Sequence, residues 1–265
     1  MTAVVLDLDG VLWRGDDAIA GSAEAVAALR DGGARVAFLT NNSSLRIADY
    51  LGKFERFGIA ATADEVMTSA QAAVELLAET LAPGARVLAC AGPGVVEAFE
   101  QSGFTVVDRG PAAAVVVGWH RTFDFDGLDR AARAVRDGAR FVATNADPTY
   151  PGSDHVLPGA GAIVAAVATA SGRIAEVAGK PHPPTAALVR HRVGDHGIMV
   201  GDRPSTDGAM AGALGWPFAL VLSGIGGHDP SEPVPDPAPA LVGEDLAAIV
   251  PDLLAQHVTD AGPRR

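Results

Sequence analysis

Cysteine, lysine and aromatic residues are scarce in this 265-residue chain, and each scarcity removes a class of explanation. Cys90 is the single cysteine, so neither an internal disulfide nor a thiolate metal cluster can form, and the chain suits a reducing compartment. The apolar run around it, ARVLAC, places it in the core. Aromatics make up 5% against 48% hydrophobic residues, which leaves Ala, Val and Leu to build the interior, the usual material of layered α/β packing. The longest weakly polar run, Gly159 to Ala170, falls short of the roughly 20 residues that span a bilayer, so no membrane segment is expected. The opening MTAVVLDLDGVLW has acids where a signal peptide needs a basic stretch and then an uninterrupted apolar one. It reads as a buried first strand, and a cytoplasmic location is expected.

Positive charge is also in short supply. Formal charge is -12, and a surface that negative repels nucleic acid and anionic lipid, so neither is an expected partner. It would repel a phosphorylated substrate as well, unless cations were concentrated at its site. A metal ion is therefore suspected on charge alone.

Present in abundance is alternation. Short β-rich runs (AVVLDL, RVAFLT, ARVLAC, AAVVVGW, RFVATN, GIMVGD, FALVLSG) are separated by Ala/Leu-rich stretches, among them helices near 22–31, 45–57 and 69–80. That rhythm predicts βαβ units and parallel sheets. Ligands of such sheets bind beyond the carboxyl ends of the strands, so the polar residues found there are the ones to inspect. The proline-rich stretch DPSEPVPDPAP (229–239) is kept out of regular structure and leads towards a last helix near 243–255.

Four segments stand at such strand ends or in loops of the same kind. In LDLDG, Asp7 and Asp9 lie two apart, on one side of a strand. A like-charged pair is costly unless neutralised, and a hard divalent cation with oxygen ligands is the ordinary solution, although a solvated loop is the plain alternative. In FLTNNSS, Thr40, Asn41 and Asn42 follow a strand, and a helix opening near Ser43 or Ser44 would turn free N–H groups towards an anion or simply be capped. In AGKPH, Lys180 is one of only two lysines beside 18 arginines, so a compact ammonium for phosphate contact is expected there, with a surface lysine as the plain alternative. It is not a Walker lysine, since Pro181 follows it where Ser or Thr is required. In VGDRPSTDG, Asp202 ends a strand and Asp207 lies one turn further on.

Together DLDGV, LTNNS, GKP and GDRPSTD resemble the four motifs of the haloacid-dehalogenase-like superfamily, and DGVLW, TNNS and GDxxxTD are similar to its subclass IIA branch of NagD-like, phosphoglycolate and p-nitrophenyl phosphatases. The resemblance implies an α/β fold: a Rossmann-like parallel-sheet core with an inserted α/β cap of the C2 type. Spacing agrees with the layout. Thirty residues separate Asp9 from Thr40, too few for a lid, whereas 139 separate Thr40 from Lys180. The expected division is a core of 1–82 and 178–265 around a cap of 83–177, a plausible small domain.

By the same resemblance Asp7 attacks phosphorus, and Asp9 protonates the leaving oxygen and later activates water. Mg²⁺ is held by the Asp7 and Asp202 carboxylates and the Asp9 main-chain carbonyl. Thr40, Asn41 and Lys180 hold the phosphoryl oxygens, Asn42 shapes their turn, and Asp207 orients Lys180 or the metal shell. A small phosphorylated metabolite is the implied substrate, and pairing of two copies through the cap is permitted by its Ala/Val-rich face. For the cap, TNADPTYP (144–151) and GWHR (118–121) are similar to substrate-facing loops, which nominates Asn145, Asp147 and His120. Asx residues and prolines also make turns on their own account. LPGAGAIVAA (157–166) lacks a third glycine and a ribose-binding acid, so it reads as a buried helix start. Two other classes share the collected aspartates, Thr and Lys: a phospho-accepting signalling domain, about half this size, and a catalytically idle sugar-phosphate binder on the same fold.

Overall fold

The computed structural model describes residues 3–151, 155–224 and 238–260. The chain opens with β1 (Ala3–Leu6), a two-rung hairpin of β2 (Trp13–Arg14) and β3 (Asp17–Ala18), α1 (Ser22–Asp31), β4 (Arg35–Thr40), α2 (Ile47–Arg56), β5 (Val66–Thr68) and α3 (Ser69–Ala78). It continues through β6 (Arg86–Cys90), α4 (Pro93–Gln101), β7 (Thr105–Val107), β8 (Ala114–Val117), α5 (Phe125–Arg136) and β9 (Arg140–Ala143). A second hairpin, β10 (Thr149–Pro151) and β11 (Val156–Pro158), precedes α6 (Ala160–Ser171) and β12 (Glu176–Val177). Then come α7 (Pro183–Val193), β13 (Gly197–Gly201), α8 (Ala209–Leu214), β14 (Phe218–Val221), β15 (Leu241–Gly243) and α9 (Leu246–Asp260).

The strands form two parallel sheets. One has the order β15-β14-β13-β1-β4-β5, the other, drawn from residues 86–177, the order β12-β9-β8-β6-β7. This is a Rossmann-like core with an α/β cap inserted between β5 and β13. In the first sheet the chain moves outward from β1 through β4 to β5 on one side and later lays β13, β14 and β15 on the other, so the crevice at the end of β1 is a topological switch point.

Strand burial explains why these runs are continuously apolar. Every residue of β1 and β13 is buried, as expected of a sheet covered on both faces. Val4 and Leu6 of β1 enter the layer beneath α1, α2 and α9, with Val26, Phe54 and Ile249. Ala3 and Val5 point the other way, into the layer of α3, α7 and α8, with Leu77, Leu188 and Met210. That second layer runs on into Val87, Phe99, Val116 and Val142, so the two sheets share one continuous apolar layer. The far face of the second sheet is covered by α5 and α6 through Val135, Ile163 and Val167, and Cys90 is buried there.

Three local expectations shift. The helix expected to open near Ser43 or Ser44 starts at Ile47, where the Arg46 amide donates to Asp49 Oδ2 (3.0 Å) and the Ile47 amide to Glu97 Oε2 (2.9 Å). Those N–H groups are already satisfied, so the helix end is not an anion site. The last helix starts later and extends further than 243–255, with Pro251 in its interior. The proline-rich stretch lies almost wholly outside the described residues. No described helix is long and apolar enough to cross a membrane.

Candidate active site

At the switch point a cavity of about 720 Å³ opens between the two sheets. Its floor comes from four separate places, three of them strand ends of the first sheet. β1 ends one residue before Asp7, the chain turns so that Asp9 follows, β4 ends at Thr40, and β13 delivers Asp202. The fourth place is the loop before α7, which carries Lys180.

Lys180 ties the floor together. Its Nζ donates to Asp7 Oδ1 and to Asp207 Oδ1, each at 2.6 Å, and all three side chains are buried. Asp207 sits on a π-helical turn, Pro204–Gly208, that brings its other oxygen back to the Arg203 amide at 3.1 Å. Such turns are a common way of re-aiming a side chain at a functional site. Burial lowers the proton affinity of an ammonium, but Asp207 and Asp7 outweigh it, so Lys180 is held charged well above the usual lysine range. Burial, joined by Asp207 and Asp202, pushes the Asp7 carboxyl up against the pull of Lys180.

One ammonium among three buried carboxylates leaves the cluster short of positive charge. Asp7, Asp202 and Asp207 each offer a carboxylate oxygen within 4.8 Å of the others. An all-oxygen set with excess negative charge is what a hard divalent cation requires, so the residues fit such an ion. Two details keep the floor compact. Gly10 has a φ of +93°, and a Cβ there would stand 2.7 Å from Asp202 Cγ. A Cβ on Gly179 would meet the Thr144 carbonyl oxygen at 2.4 Å. Both positions need glycine for the carboxylates and the lysine to approach.

Asp9 stands apart from that cluster. It is half-buried, and its Oδ1 accepts from Trp13 Nε1 at 3.1 Å, because the chain folds back so that the Gly10 amide meets the Trp13 carbonyl oxygen at 2.7 Å. Burial raises its carboxyl, with Lys53 and the indole N–H opposing.

The roof comes from the second sheet and is bolted to the loop after β4. The Asn41 side chain accepts from the Lys180 amide (2.7 Å) and donates to the Lys180 carbonyl oxygen and to Asp147, each at 3.2 Å. Asn145 Nδ2 donates to the Asn41 carbonyl oxygen (2.7 Å) and Ser43 Oγ to Thr144 Oγ1 (2.8 Å). Asn42 accepts from the Ser44 amide and hydroxyl (2.9 and 2.7 Å) and gives its Nδ2 to Tyr150 Oη (3.1 Å). Behind Tyr150, Trp119 stacks at 4.7 Å between centroids.

Of the residues singled out in the sequence, Asp7, Asp9, Thr40, Asn41, Asn42, Asp147, Lys180, Asp202 and Asp207 line this cavity. The Asn41 and Asn42 side chains are engaged by protein partners, as are their carbonyl oxygens, which accept from Ser69, Asn145 and Tyr50, and the Asn42 amide donates to Thr40 Oγ1 at 3.0 Å. Asn145 is buried behind the roof rather than lining it. His120 is a correction: it turns to Cys90 (Nε2 to Sγ 3.7 Å) and Thr122 (Nδ1 to Oγ1 3.1 Å) and bounds a separate cleft with Phe123 and Ile163. Burial lowers its proton affinity and pushes the Cys90 thiol up to about 11, so both groups favour their neutral forms. The cavity also gathers Arg14, Asp17, Thr149, Tyr150, His155 and Arg203, which sequence reasoning did not single out. Arg14 Nε donates to the Ser223 carbonyl oxygen, a link of 209 residues that no local pattern announces. Thr149 and Tyr150 lay within TNADPTYP, Arg203 within VGDRPSTDG and Arg14 directly after DGVLW, and those positions were the signals available.

Comparison with known proteins places this geometry. A family model described as haloacid dehalogenase-like hydrolase matches residues 4–105, and a second, HAD-hydrolase-like, matches 177–249. A D-glycerol 3-phosphate phosphatase of Mycobacterium tuberculosis is 38% identical over 256 residues, covering 94% of this chain and 71% of the relative. The crystal structure of the glycerol phosphate phosphatase of the same organism in complex with magnesium superimposes with a TM-score of 0.83 at 37% identity, covering 92% of this chain and 74% of that one. A p-nitrophenyl phosphatase from Archaeoglobus fulgidus gives 0.84 at 28% identity, covering 95% and 99%.

Proposed function

Since the chain belongs to the haloacid dehalogenase-like hydrolases and is a phosphatase of phosphate monoesters, we propose that it hydrolyses a small polyol or sugar phosphate in two steps through a phosphorylated Asp7. The observation that carries the reading is the buried Lys180 bridge between Asp7 and Asp207, set beside Asp202 at the end of β1. Relatives named as glycerol phosphate and acid sugar phosphatases support the substrate class.

In the first step an Asp7 carboxylate oxygen forms a bond to phosphorus as the bond to the substrate's ester oxygen breaks, and Asp9 gives that oxygen its proton. In the second, Asp9 takes a proton from water as the water oxygen attacks the same phosphorus, releasing inorganic phosphate and free Asp7. Lys180 places a fixed positive charge against the transferring group, and the Thr40 hydroxyl and the Asn41 main chain supply donors at the end of β4. Mg²⁺ would be held by the Asp7 and Asp202 carboxylates and the Asp9 main-chain carbonyl, and would supply charge neutralisation for the phosphoryl oxygens. Asp207 keeps Lys180 in place.

Residues 83–177 are the cap in this reading, with Asp147 and Tyr150 over the leaving group and Asn145 fixing their loop. Pairing through the cap belongs to the same proposal: Phe125, Val156 and Ile174, at 80, 55 and 95% exposure, all lie there. Sedimentation would test it. A cytoplasmic site of action, suited to one buried thiol, completes it. The experiment is phosphate release from a panel of monoesters with Mg²⁺ or EDTA, for wild type, Asp7→Asn and Asp9→Asn. Magnesium-dependent turnover lost in both variants is expected; a well-folded wild type without turnover contradicts the proposal.

A further inference from the structure

Only two lysines occur among the 265 residues, and the charge of each acts on an aspartate assigned to the chemistry. Lys180 bonds Asp7. Lys53, on α2, is half-buried with its Nζ 4.4 Å from the centroid of the Trp13 ring and 6.0 Å from that of Phe57. Trp13 is fully buried and wedged edge-on against Phe54 at 5.1 Å, so its indole cannot swing. The edge of that indole donates to Asp9 Oδ1 at 3.1 Å. A cation over the face of an indole is attracted by the ring's negative face and draws density from the N–H edge, and hydrogen bonds polarised in series strengthen one another.

We propose that Lys53 is a positioning residue for the acid–base aspartate: it acts through Trp13, whose polarised N–H pins one Asp9 oxygen so that the other faces the leaving group. The inference rests on the two-step reading, in which Asp9 protonates the departing oxygen. Charge on the surrounding groups is consistent with it. Burial lowers the proton affinity of Lys53, while Asp9 and Asp16 hold it charged and Arg56 opposes them.

Leaving groups separate positioning from mere structure. p-Nitrophenolate departs without a proton, whereas the alkoxide of glycerol 3-phosphate needs one. First-turnover release of p-nitrophenol and of glycerol would be measured for Lys53→Met, Lys53→Arg, Trp13→Phe and the pair Trp13→Phe/Lys53→Met, with thermal melts to establish folding. Lys53→Met is expected to slow glycerol release by about tenfold and p-nitrophenol release by less than about twofold, with Lys53→Arg recovering most of the loss. Equal losses on both esters, or none, would overturn the proposal. Trp13→Phe is expected to show the same split, and Lys53→Met to add nothing in that background; a full further loss there would show that the ammonium acts on Asp9 without the indole, overturning the relay. Should Trp13→Phe not fold, the Lys53 variants decide. Asp9→Asn is the control: if it discriminates between the esters and Lys53→Met does not, only this inference falls; if it does not discriminate, the assigned role of Asp9 falls and this inference with it.

Discussion

On the floor Asp7, Asp202, Asp207 and Lys180 are buried in a compact charged cluster, whereas on the roof Asp147, Thr149, Tyr150 and His155 are only partly buried or exposed. The two groups face one cavity yet differ in what holds them. Charge holds the floor: Lys180 answers for the burial of Asp7 and Asp207, so it cannot be removed without stranding both. Neutral hydrogen bonds hold most of the roof, running from the Asn41–Ser44 loop, and each is worth about 1 kcal/mol net. The floor is therefore suited to chemistry, which needs charges fixed before the reaction begins, and the roof to recognition, which tolerates exchange.

Removing the ammonium shared by Asp7 and Asp207 is the severest way to probe that contrast. Lys180→Met strands two buried carboxylates and is expected to cost about 3–5 kcal/mol, read from the denaturant midpoint, together with nearly all activity. Added Mg²⁺ should restore part of the stability and none of the turnover. A loss below 1 kcal/mol in metal-free buffer would show that the cluster is not electrostatically interlocked.

Tyr150→Phe tests the roof by the gentlest cut available. It removes the acceptor of Asn42 Nδ2 and keeps the stack on Trp119, so KM is expected to rise about threefold with kcat unchanged. A fall in kcat comparable to that of Lys180→Met would erase the distinction between the two surfaces.

A pH series sharpens it. Burial raises the Asp147 carboxyl, and Asn41 only partly offsets it. The folded state thus holds that proton more tightly than the unfolded chain does, so its contribution to stability is fully present below the unfolded carboxylate value and is lost as pH rises through the folded one. Asp147→Asn removes this dependence, so its melting temperature should gain on wild type between pH 4 and 7. A gap that stays constant with pH would contradict the assignment. The smallest effect is expected at His120→Ala: kcat/KM within about twofold and stability within about 1 kcal/mol, since the ring meets Cys90 and Thr122 outside the cavity.

The same contrast explains what could be read from the sequence. The two-sheet architecture was legible because each strand is a short apolar run between helical stretches, and the floor because strand ends in an open parallel sheet converge on one edge. Asp7, Asp9, Thr40 and Asp202 needed no more than that, and Lys180 was marked by the rarity of its residue type. The roof depends on pairings between residues 104 to 139 apart, Asn41 with Asn145 and Lys180, and Asn42 with Tyr150. No periodicity encodes such pairs. Asn and Asp at 145 and 147 look alike as turn formers, yet one is buried behind the wall and the other lines it. His120 and Trp119 are adjacent, but the histidine turns to Cys90 while the indole backs Tyr150. The short hairpins β2–β3 and β10–β11 span two or three residues per strand, too few for alternation to register.

The central claim is that phosphate passes through Asp7. Its most direct test is to incubate Asp9→Asn with p-nitrophenyl phosphate and Mg²⁺, quench in acid, and map added mass by peptide analysis. One phosphoryl group on the peptide containing Asp7, appearing with a stoichiometric burst of p-nitrophenol and absent from the Asp7→Asn/Asp9→Asn double variant, is the predicted result. A burst of p-nitrophenol with no covalent phosphate, or with phosphate on another residue, would contradict it.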